Sequence, residues 1–580
     1  MAKLWRTTAI SLGALMLAGM AQSQAKAQDR TDPNAAPFDV HMSVDASKTT
    51  GHLAPIWRFF GADEPNYATM KDGRKLMGHL GDLKPGDVYF RAHNLLNTGD
   101  GTAAFKWGST NIYTEDKDGH PVYDFTVTDR IIDTYIQRGI HPYLQLGFMP
   151  EALSSAPAGE PYQHHWRPGF AYNLIEGRWN APPRNYKKWE ALAYQWTKHN
   201  IERYGRAEVS KWYFEVWNEP NGPSYWRGTH DEFFKLHDYA IAGIRRALPE
   251  ARVGGADFAG DGGPFMDEFL QHVVHGQNEA TGGTGTPTDF LSFHAKGSPK
   301  IIQDKNGDGH VRMGIATQLQ TADSGFMKIA AVPELKAKPI VIGENDPEGC
   351  AACPGPQNAY RNGTLYASYT AATYPRLWQL AQKRGVNLDG ALTWAFEFED
   401  QPWFAGYRQL STNGIDLPVL NVFRLFAQLG PDEVAATSDA EVPLEAIEAK
   451  GVTATPDVGV LATRTTDGKL AIFVWHYHDD DISGAAARVT LHLTGLKART
   501  LKVTQWRVDA DHGNAFTAWQ AMGSPQSPNE TQYQALETAS KMQPQAWPAP
   551  IFVSSDATDL NFSLPRQGVS LLIVEGSEGL

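Results

Sequence analysis

Two glutamates each come directly after a β-rich run that has the composition of a buried strand. Residues 212–217 lead through Asn218 into Glu219, and residues 339–343 lead into Glu344. When two carboxyl groups meet at one pocket, a protonated one can donate to a leaving group while an ionised one attacks as a nucleophile. At a separation of about 5–5.5 Å such a pair performs retaining glycoside hydrolysis. We therefore assign Glu219 as acid/base and Glu344 as nucleophile.

Both motifs also have plainer interpretations. Asn-Glu-Pro-Asn-Gly at residues 218–222 is typical turn chemistry. Asp346 and Glu348 are rival carboxylates to Glu344, but we expect them to lie in the loop beyond the strand. The catalytic interpretation is favoured because both glutamates occupy the same kind of position, at the carboxyl end of a strand.

The elements that position these glutamates are predicted from the alternation of β-rich runs with longer helical stretches between about residues 50 and 430. Eight strands are predicted, at residues 55–61, 87–92, 141–147, 211–217, 252–256, 289–294, 339–343 and 390–395. Eight βα units in about 380 residues indicate an α/β fold, a (β/α)8 TIM barrel, whose catalytic residues gather at the carboxyl ends of the strands. The alternative is a doubly wound open sheet, which would carry a glycine-rich phosphate turn after its first strand. The sequence has no such turn, so the barrel is preferred.

Three helices are predicted with defined ends. Large apolar residues recur at helical spacing over residues 186–204. Thr229 and Glu232 form the pattern of a capping box that opens a helix reaching residue 247. A third helix spans residues 360–384 and ends at Gly385.

After about residue 430 the pattern changes to short alternating strands, which indicates a β-sandwich. Residues 458–465 and 469–476 flank Asp467-Gly468, a hairpin signal. Further strands are predicted at residues 488–493, 501–508, 560–564 and 569–575, with a polar helical insertion at 529–542. The sandwich could bind sugars or simply pack against the barrel, and the plainer packing role is preferred.

The domain boundaries follow from these patterns. Residues 1–27 read as a signal peptide: Lys3 and Arg6 precede a short apolar run, and Ala25-Lys26-Ala27 is a small-residue cleavage pattern. A membrane anchor is the alternative, but the run is shorter than the ~20 residues that a bilayer requires. Residues 28–50 include an alternating stretch predicted to join the sandwich, residues 51–430 form the barrel, and residues 431–580 form the sandwich. We expect an exported protein, periplasmic or extracellular, with no membrane association after cleavage.

Composition restricts the partners. The formal net charge is −13, which argues against nucleic acid because phosphate binding requires a basic surface. The two cysteines, Cys350 and Cys353, favour a small disulfide in an exported chain. A redox pair lacks thioredoxin-like surroundings, and zinc would need two more ligands. We expect no metal and no cofactor, since the proposed chemistry needs neither.

Most of the chain, from about Phe59 onward, resembles glycoside hydrolase family 39, which contains β-xylosidases and α-L-iduronidases. The stretches that carry the resemblance are residues 90–93, 144–150, 182–205, 217–221, 292–294 and 393–396. Two departures are clear. The second strand reads Arg-Ala-His where the family's xylosidases have Arg-Phe-His, and the segment at Glu344 reads Gly-Glu-Asn-Asp-Pro rather than Thr-Glu-Phe. The second departure leans toward the iduronidase form.

The resemblance implies the same roles for Glu219 and Glu344, and it suggests further site residues. It places four residues in the subsite for the terminal sugar: His93, Asn218, His294 and Trp394. Phe396 follows in the same loop and is a candidate for lining the pocket. Arg91 could bind substrate, but an arginine at a strand end often orients a nucleophile by pairing with a carboxylate, and we favour this supporting role.

Lys296 affects the expected substrate. In iduronidase-like relatives a lysine shortly after the sixth-strand histidine contacts the sugar carboxylate, although Lys296 could equally neutralise Glu344 or pair with a loop acid. We expect an exo-acting β-xylosidase that releases xylose from the non-reducing ends of xylo-oligosaccharides, so the partner is an oligosaccharide or polysaccharide substrate. The alternatives are an α-L-iduronidase-like uronosidase, an α-L-arabinosidase, an endo-acting exopolysaccharide hydrolase, and a carbohydrate-binding protein without catalysis.

Overall fold

A closed barrel of eight parallel strands forms the centre of the molecule. In the computed structural model, which describes residues 32, 35–162, 177–303, 309–548 and 550–577, each strand pairs with the next one along the chain. The first and eighth strands also meet, because the Gly61 amide donates to the Thr393 carbonyl (3.1 Å) and the Thr393 amide donates to the Phe59 carbonyl (3.2 Å). The strands are Phe59–Ala62, Val88–Ala92, Ile140–Leu146, Tyr213–Val216, Arg252–Phe258, Phe290–Lys296, Pro339–Asp346 and Asn387–Ala391. The predicted barrel is confirmed.

Each barrel strand is followed by at least one helix on the outside of the barrel. The helices are Lys71–Gly81, Thr126–Gln137, Tyr186–Tyr204 with Arg206–Val209, His230–Ala247, Gly263–His275, Ile315–Ala330, Thr364–Arg384 and Pro418–Phe426. The fourth shows why they pack. Phe233, Leu236, Ala240 and Ile244 recur at helical spacing and are buried, so one face of this helix covers the barrel.

Helix ends follow the local chemistry of the sequence. The helix His230–Ala247 begins at Thr229 with the predicted capping box, in which the Thr229 side chain accepts from the Glu232 amide. The long helix Thr364–Arg384 ends at Gly385, which adopts the left-handed conformation (φ 62°). This helix starts four residues later than predicted, because Pro356–Asn362 forms a 3₁₀ helix that ends before Gly363.

Three barrel strands extend two or three residues farther than predicted and one lies earlier. The fifth runs to Phe258, the sixth to Lys296 and the seventh to Asp346, while the eighth is Asn387–Ala391 rather than residues 390–395. The predictions for the fifth and seventh strands stopped where polar residues begin. In this barrel the last residues of a strand face the mouth, so polar side chains there belong to the strand.

A second domain, the β domain, is built among the described residues from one ten-stranded β-sheet. The strand Phe38–His52, near the start of the chain, lies between Asp432–Ser438 (antiparallel) and Ala487–Thr494 (parallel). One apolar core collects side chains from strands distant in the sheet order, such as Val40, Leu491 and Val503, so the sheet curls around it. The other strands are Asp457–Arg464, Leu470–Tyr477, Thr500–Val508, Gln545–Ala546, Ile551–Phe552, Thr558–Leu564 and Val569–Gly576.

Smaller elements complete the described chain. Three two-stranded hairpins pair Tyr113–Glu115 with Pro121–Tyr123, Lys300–Gln303 with Gly309–Arg312, and Ser411–Thr412 with Ile415–Asp416. Three further helices are Leu444–Lys450, Ala515–Ala521 and Glu530–Ser540, and three further 3₁₀ helices are Pro65–Thr69, Glu151–Leu153 and Arg178–Asn180.

The β domain packs directly on the barrel helices. Phe426 of the last barrel helix lies against Phe473 of the β domain, with ring centroids 4.9 Å apart. Both belong to a core that also contains barrel residues such as Ile244. Among the described helices, none is both long and apolar enough to cross a bilayer. The predicted signal peptide, residues 1–27, lies outside the described residues.

Candidate active site

The carboxyl ends of the fourth and seventh strands bring Glu219 and Glu344 to the mouth of the barrel. After the fourth strand, Trp217 and Glu219 adopt left-handed conformations (φ 72° and 46°). The Glu219 amide donates to the Asp257 carbonyl (2.9 Å), which ties this turn to the fifth strand. Glu344 lies within the seventh strand and pairs in register with His294 of the sixth. Both glutamates line one pocket.

The imidazole of His294 connects the two glutamates. Its Nδ1 lies 2.8 Å from Glu219 Oε1, and its Nε2 lies 3.8 Å from Glu344 Oε1 and 3.0 Å from Asp257 Oδ2. Burial alone would lower the pKa of His294, but Asp257 and Glu344 outweigh burial and raise this pKa to about 10. The imidazole is therefore protonated at neutral pH; its Nδ1 donates to Glu219, and its Nε2 forms an ion pair with Asp257.

Glu344 is surrounded by cationic and basic groups. Lys296 contacts Oε2 directly, while His93 Nε2 and Arg91 Nη1 lie 3.6 Å and 3.7 Å from Oε1. Burial raises the pKa of Glu344, but the charges of His294, Lys296 and Arg91 together lower it below its usual value. Glu344 is thus held as a carboxylate.

Glu219 has a more open environment than Glu344. Its side chain is 22% exposed, against 8% for Glu344. Tyr225 and Trp394 line the same pocket. The more exposed carboxyl is therefore the one that solvent and a leaving group can approach.

Arg91 connects the fourth and fifth strands beneath the pocket. Its Nε lies 2.5 Å from Glu215 Oε2, and its Nη2 lies 2.6 Å from Asp257 Oδ2 and donates to Asn218 Oδ1 (2.9 Å). The guanidinium is fully buried and carries its charge among these acids, which raise its pKa against the effect of burial. It fixes the backbone neighbour of Glu219, Asn218, and stands close to Glu344.

His93 is held as a neutral imidazole. Burial is the main cause that lowers the pKa of His93, and Arg91 acts in the same direction while Asp63 opposes both. Its Nδ1 lies 2.9 Å from Asp63 Oδ1 and its Nε2 lies 3.2 Å from Arg91 Nη1. The arrangement fits one tautomer, in which Nδ1–H donates to Asp63 and Nε2 accepts from Arg91.

The chain matches a known protein family along most of its length. The sequence model of glycosyl hydrolases family 39 matches residues 40–553. The chain belongs to glycosyl hydrolase family 39. It is therefore a glycoside hydrolase, and its substrates are carbohydrates.

Two curated relatives and one solved structure show the range of this similarity. A β-xylosidase of Geobacillus stearothermophilus is 26% identical over 510 residues, covering 85% of this chain and 87% of that protein. An α-L-iduronidase of Mus musculus is 26% identical over 532 residues, covering 85% and 74%. The crystal structure of a monomeric β-xylosidase from Caulobacter crescentus CB15 superposes with a TM-score of 0.70 at 22% identity, covering 93% and 99%. The solved structure supports the fold.

In this family 39 hydrolase, Trp394 lines the pocket, whereas Asn218 is buried next to Glu219. The Asn218 Oδ1 atom is taken by Arg91, whereas its Nδ2 is buried without a hydrogen-bond partner among the described residues. A buried free donor beside Glu219 is suited to a substrate hydroxyl. The Trp394 ring lines the pocket and lies against His93, with ring centroids 4.2 Å apart.

Lys296 has its charge compensated within the family 39 site. Besides Glu344, its Nζ donates to Asp346 Oδ2 (3.0 Å). Burial lowers the pKa of Lys296, but Glu344 and Asp346 outweigh burial and raise it. Two of the roles considered from the sequence are therefore seen in the structure: Lys296 contacts Glu344, and it pairs with a second acid, Asp346.

Phe396 does not line the pocket. Its ring packs against Phe90 of the second strand at a centroid distance of 5.0 Å, and Phe90 packs against Tyr135 of the following helix. Phe396 therefore lies in the layer between barrel and helices, which corrects its expected place beside the substrate. Beyond Ala391 the chain is no longer a regular strand, so its nearness to Trp394 in sequence does not give it the same orientation.

Asp63 and Asp257 were missed in the sequence, although both lie at the carboxyl end of a barrel strand. Asp63 follows the first strand directly, and Asp257 lies one residue before the end of the fifth, while Asp346 ends the seventh. A position at the carboxyl end of a barrel strand is the signal that could have found them. Asp346 was placed in a loop; instead its Oδ1 accepts from the Trp394 amide (3.0 Å) and the Thr393 hydroxyl (3.2 Å).

Glu215 was also missed in the sequence. It lies in the fourth strand, four residues before Glu219, and its side chain is buried inside the barrel. Its Oε1 accepts from Tyr143 (2.9 Å) and Ser292 (2.7 Å), and Oε2 pairs with Arg91. Burial is the largest cause that raises the pKa of Glu215 to about 7. Successive side chains of a strand point to opposite faces, and this alternation along the fourth strand could have indicated that Glu215 faces the barrel interior.

A disulfide shapes the loop after the seventh strand. Cys350 and Cys353 are bonded, with Cα atoms 5.5 Å apart. The buried Arg361 donates to the carbonyls of Cys350 (2.8 Å) and Cys353 (3.0 Å). Ala351, between the two cysteines, lines the pocket, so the disulfide loop forms part of the pocket wall.

Proposed function

We propose that this protein is a retaining, exo-acting β-xylosidase that releases xylose from the non-reducing ends of short xylo-oligosaccharides. The supporting observation is that the two glutamates have different environments: Glu344 is kept ionised by Lys296, Arg91 and His294, while Glu219 is more exposed. The similarity to the Geobacillus β-xylosidase, along 85% of this chain, supports the choice of sugar.

The first chemical step is transfer of the sugar to the enzyme. Glu344 attacks the anomeric carbon and forms a glycosyl ester, while Glu219 gives its proton to the departing oxygen. The groups around Glu344 keep it ionised and oriented before attack. Asn218 Nδ2, a buried donor beside Glu219, is placed to bind a sugar hydroxyl in this step.

The second step releases the sugar. Water enters the side vacated by the leaving group, Glu219 removes its proton, and the oxygen displaces Glu344 from the anomeric carbon. The two displacements on one carbon return it to its starting configuration. His294 donates to Glu219 from one nitrogen and faces Glu344 with the other, so it stays in contact with both carboxyl groups through the cycle.

Lys296 favours a neutral sugar over a uronate. A lysine reserved for a sugar carboxylate would need an unpaired charge facing the pocket, whereas Lys296 is shared by Glu344 and Asp346. A uronate carboxylate would also approach two ionisable acids of its own sign, which costs several kcal/mol when charges are buried. Xylose carries no charge and avoids this cost.

A substrate panel tests the choice of sugar. Nitrophenyl β-xyloside, α-L-arabinosides and uronosides are assayed side by side, and the products from xylohexaose are followed by mass spectrometry. The proposal predicts turnover of the β-xyloside and release of xylose alone from the oligosaccharide. Turnover restricted to uronosides, or early appearance of internal fragments, would contradict it.

Azide rescue tests the roles of the two glutamates. In Glu344→Gly, azide fills the space of the missing nucleophile and attacks from that side, giving α-xylosyl azide. In Glu219→Ala, with a good leaving group, Glu344 still forms the ester, and azide then attacks from the other side to give β-xylosyl azide. Opposite configurations from the two variants support a retaining mechanism with these assignments; the same configuration from both would refute it.

We also propose that the protein is exported. The pattern at residues 1–27, with Lys3 and Arg6 before a short apolar run, supports removal of a signal peptide. N-terminal sequencing of protein from the periplasm or medium should begin near Gln28. Recovery of the chain only in the cytoplasm with Met1 intact would contradict this.

A further inference from the structure

Asp63 and Lys106 form a second pair of charged groups in the active-site pocket, separate from the two glutamates. Asp63 follows the first barrel strand, and Lys106 lies in the loop after the second. The ammonium of Lys106 contacts Asp63 Oδ2, and the side chains are 5% and 8% exposed. Both line the same pocket as Glu219 and Glu344. The chemistry described so far does not use this pair.

The imidazole ring of His93 lies between this pair and the nucleophile, Glu344. His93 Nε2 is 3.6 Å from Glu344 Oε1, and His93 Nδ1, on the other side of the ring, is 2.9 Å from Asp63 Oδ1. A sugar whose anomeric carbon lies at Glu344 and whose ring lies along His93 has its far side at Asp63. The ring carbon opposite the anomeric carbon is C4, so the hydroxyl nearest to the pair is the 4-hydroxyl.

The position of the pair is fixed by the backbone. The Lys106 amide donates to Glu64 Oε1 (2.6 Å), and Lys106 adopts a left-handed conformation (φ 60°). The Asp63 carbonyl accepts from Asn94 Nδ2 (2.8 Å). Burial raises the pKa of Asp63, but Lys106 and His93 outweigh burial and lower it well below its usual value. The pocket therefore presents an ionised carboxylate beside an ammonium.

Support of His93 explains only part of this arrangement. Asp63 Oδ1 is sufficient to hold the His93 tautomer, whereas Lys106 contacts the other oxygen, Oδ2. A buried ion pair contributes little net stability, because removing two charges from water is costly. A hydroxyl group both donates and accepts, so one sugar hydroxyl can bind the carboxylate and the ammonium together.

We propose that Asp63 and Lys106 bind the free 4-hydroxyl of the terminal xylose and so select the non-reducing end of the chain. In a 4-linked xylo-oligosaccharide this hydroxyl is free only on the terminal sugar, since every other unit carries its neighbour there. Recognition of a free 4-hydroxyl in a walled pocket makes the enzyme exo-acting. The inference rests on the proposed β-xylosidase function and assigns its chain-end specificity to two residues.

The test measures kcat/KM for nitrophenyl β-xyloside and its 4-deoxy analogue. A lost hydrogen bond to a charged group reduces kcat/KM by about 10- to 100-fold, so the wild-type enzyme should lose that factor on the 4-deoxy substrate. Lys106→Met should lose a similar factor on the parent substrate and little more on the analogue. Lys188→Met, which removes a lysine paired with Glu115 outside the pocket (2.8 Å), is the matched control and should behave as wild type.

Each result has a defined meaning. Equal losses of Lys106→Met on both substrates, or a wild-type enzyme that hydrolyses the 4-deoxy substrate within twofold of the parent, would overturn the inference and leave the β-xylosidase function intact. If no β-xyloside is hydrolysed by wild type, the proposed function and the inference both fail. Should Lys106→Met not fold, as judged by circular dichroism, Asp63→Asn and the wild-type comparison carry the test.

Discussion

Gly343 passes so close to Asp257 that no side chain fits between them. A Cβ on Gly343 would overlap both carboxylate oxygens of Asp257. The seventh strand is irregular at this point, since its register with the sixth shifts between Ile342 and Glu344. The glycine next to the nucleophile thus provides the space in which Asp257 meets Arg91 (2.6 Å) and His294 (3.0 Å).

Replacing this glycine should disable the site while keeping the fold. In Gly343→Ala the methyl group displaces Asp257, Arg91 and His294 lose a shared partner, and kcat/KM for nitrophenyl β-xyloside should fall by about 10²-fold. Stability should fall by about 1–3 kcal/mol, as for overpacking elsewhere, measured by chemical denaturation. Gly51→Ala is the control, since a Cβ there meets nothing within 4 Å. Full activity in Gly343→Ala would show that Asp257 is not needed where it lies.

Lys296 should control the acid limb of the pH–rate profile. It is one of the groups that lower the pKa of Glu344, and the nucleophile must be ionised to attack. In Lys296→Met this pKa rises, so activity should disappear at a higher pH as the solution is acidified, and kcat should fall. Lys296→Arg keeps the positive charge, so the acid limb of its pH–rate profile should lie closer to that of the wild-type enzyme.

The same variant distinguishes binding of a sugar carboxylate by Lys296 from its role beside Glu344. If Lys296 bound a sugar carboxylate, Lys296→Met would reduce uronoside hydrolysis and would not change the pH–rate profile of β-xyloside hydrolysis. An unchanged acid limb on the β-xyloside would therefore contradict its role beside Glu344.

Glu397 should make the protein less stable as the pH rises. It is buried and accepts from Ser411, and burial is the largest cause that raises its pKa from 4.5 to about 8. Because the folded state holds a proton that the unfolded state releases, stability from this group is present below pH 4.5 and is lost as the pH rises toward 8.

The isosteric variant Glu397→Gln removes this dependence. Relative to wild type, its free energy of unfolding should rise by up to about 1.4 kcal/mol per pH unit between pH 4.5 and 8, then level off. Denaturation at pH 5, 6, 7 and 8 measures the difference. Glu202→Gln changes an exposed glutamate (64%) and should show no such trend. Parallel curves for Glu397→Gln and wild type would rule out a protonated Glu397.

The sequence was informative wherever function depends on position along a strand. The barrel was predicted from eight β-rich runs, and Glu219 and Glu344 were selected because each follows such a run. Asp257 and Asp346 obey the same rule, but Asp257 was missed and Asp346 was assigned to a loop, since the predicted strands ended before them at residues 256 and 343. The rule that site residues lie at the carboxyl ends of the strands therefore holds, and the errors came from the predicted strand boundaries.

Contacts between distant loops could not be predicted in this way. Lys106 meets Asp63 across 43 residues of chain, and nothing in the composition of its loop distinguishes it from a solvent-exposed lysine. Phe396 was placed in the pocket because it follows Trp394, yet the chain there has left the regular strand. The orientation of such side chains depends on packing that a single sequence does not contain.

Arg376 joins the barrel to the β domain through a buried ionic cluster. It lies in the barrel helix Thr364–Arg384, and its guanidinium contacts Asp457 (2.9 Å) and Glu441 (2.6 Å) and donates to the Val442 carbonyl (3.0 Å). The side chains of Arg376 and Asp457 are 2% and 0% exposed. The charge of Asp457 is therefore compensated mainly from the other domain.

Truncating this arginine should destabilise the protein without changing its chemistry. In Arg376→Met, Asp457 and Glu441 lose their cation, and breaking a buried pair from one side costs about 3–5 kcal/mol. The free energy of unfolding should fall by that amount, while kcat of the folded enzyme at low temperature stays near wild type, since Arg376 does not line the pocket. Arg203→Met, which breaks a partly exposed pair with Asp133, should cost about 1 kcal/mol or less. Equal losses from the two variants would show that the buried cluster does not hold the domains together.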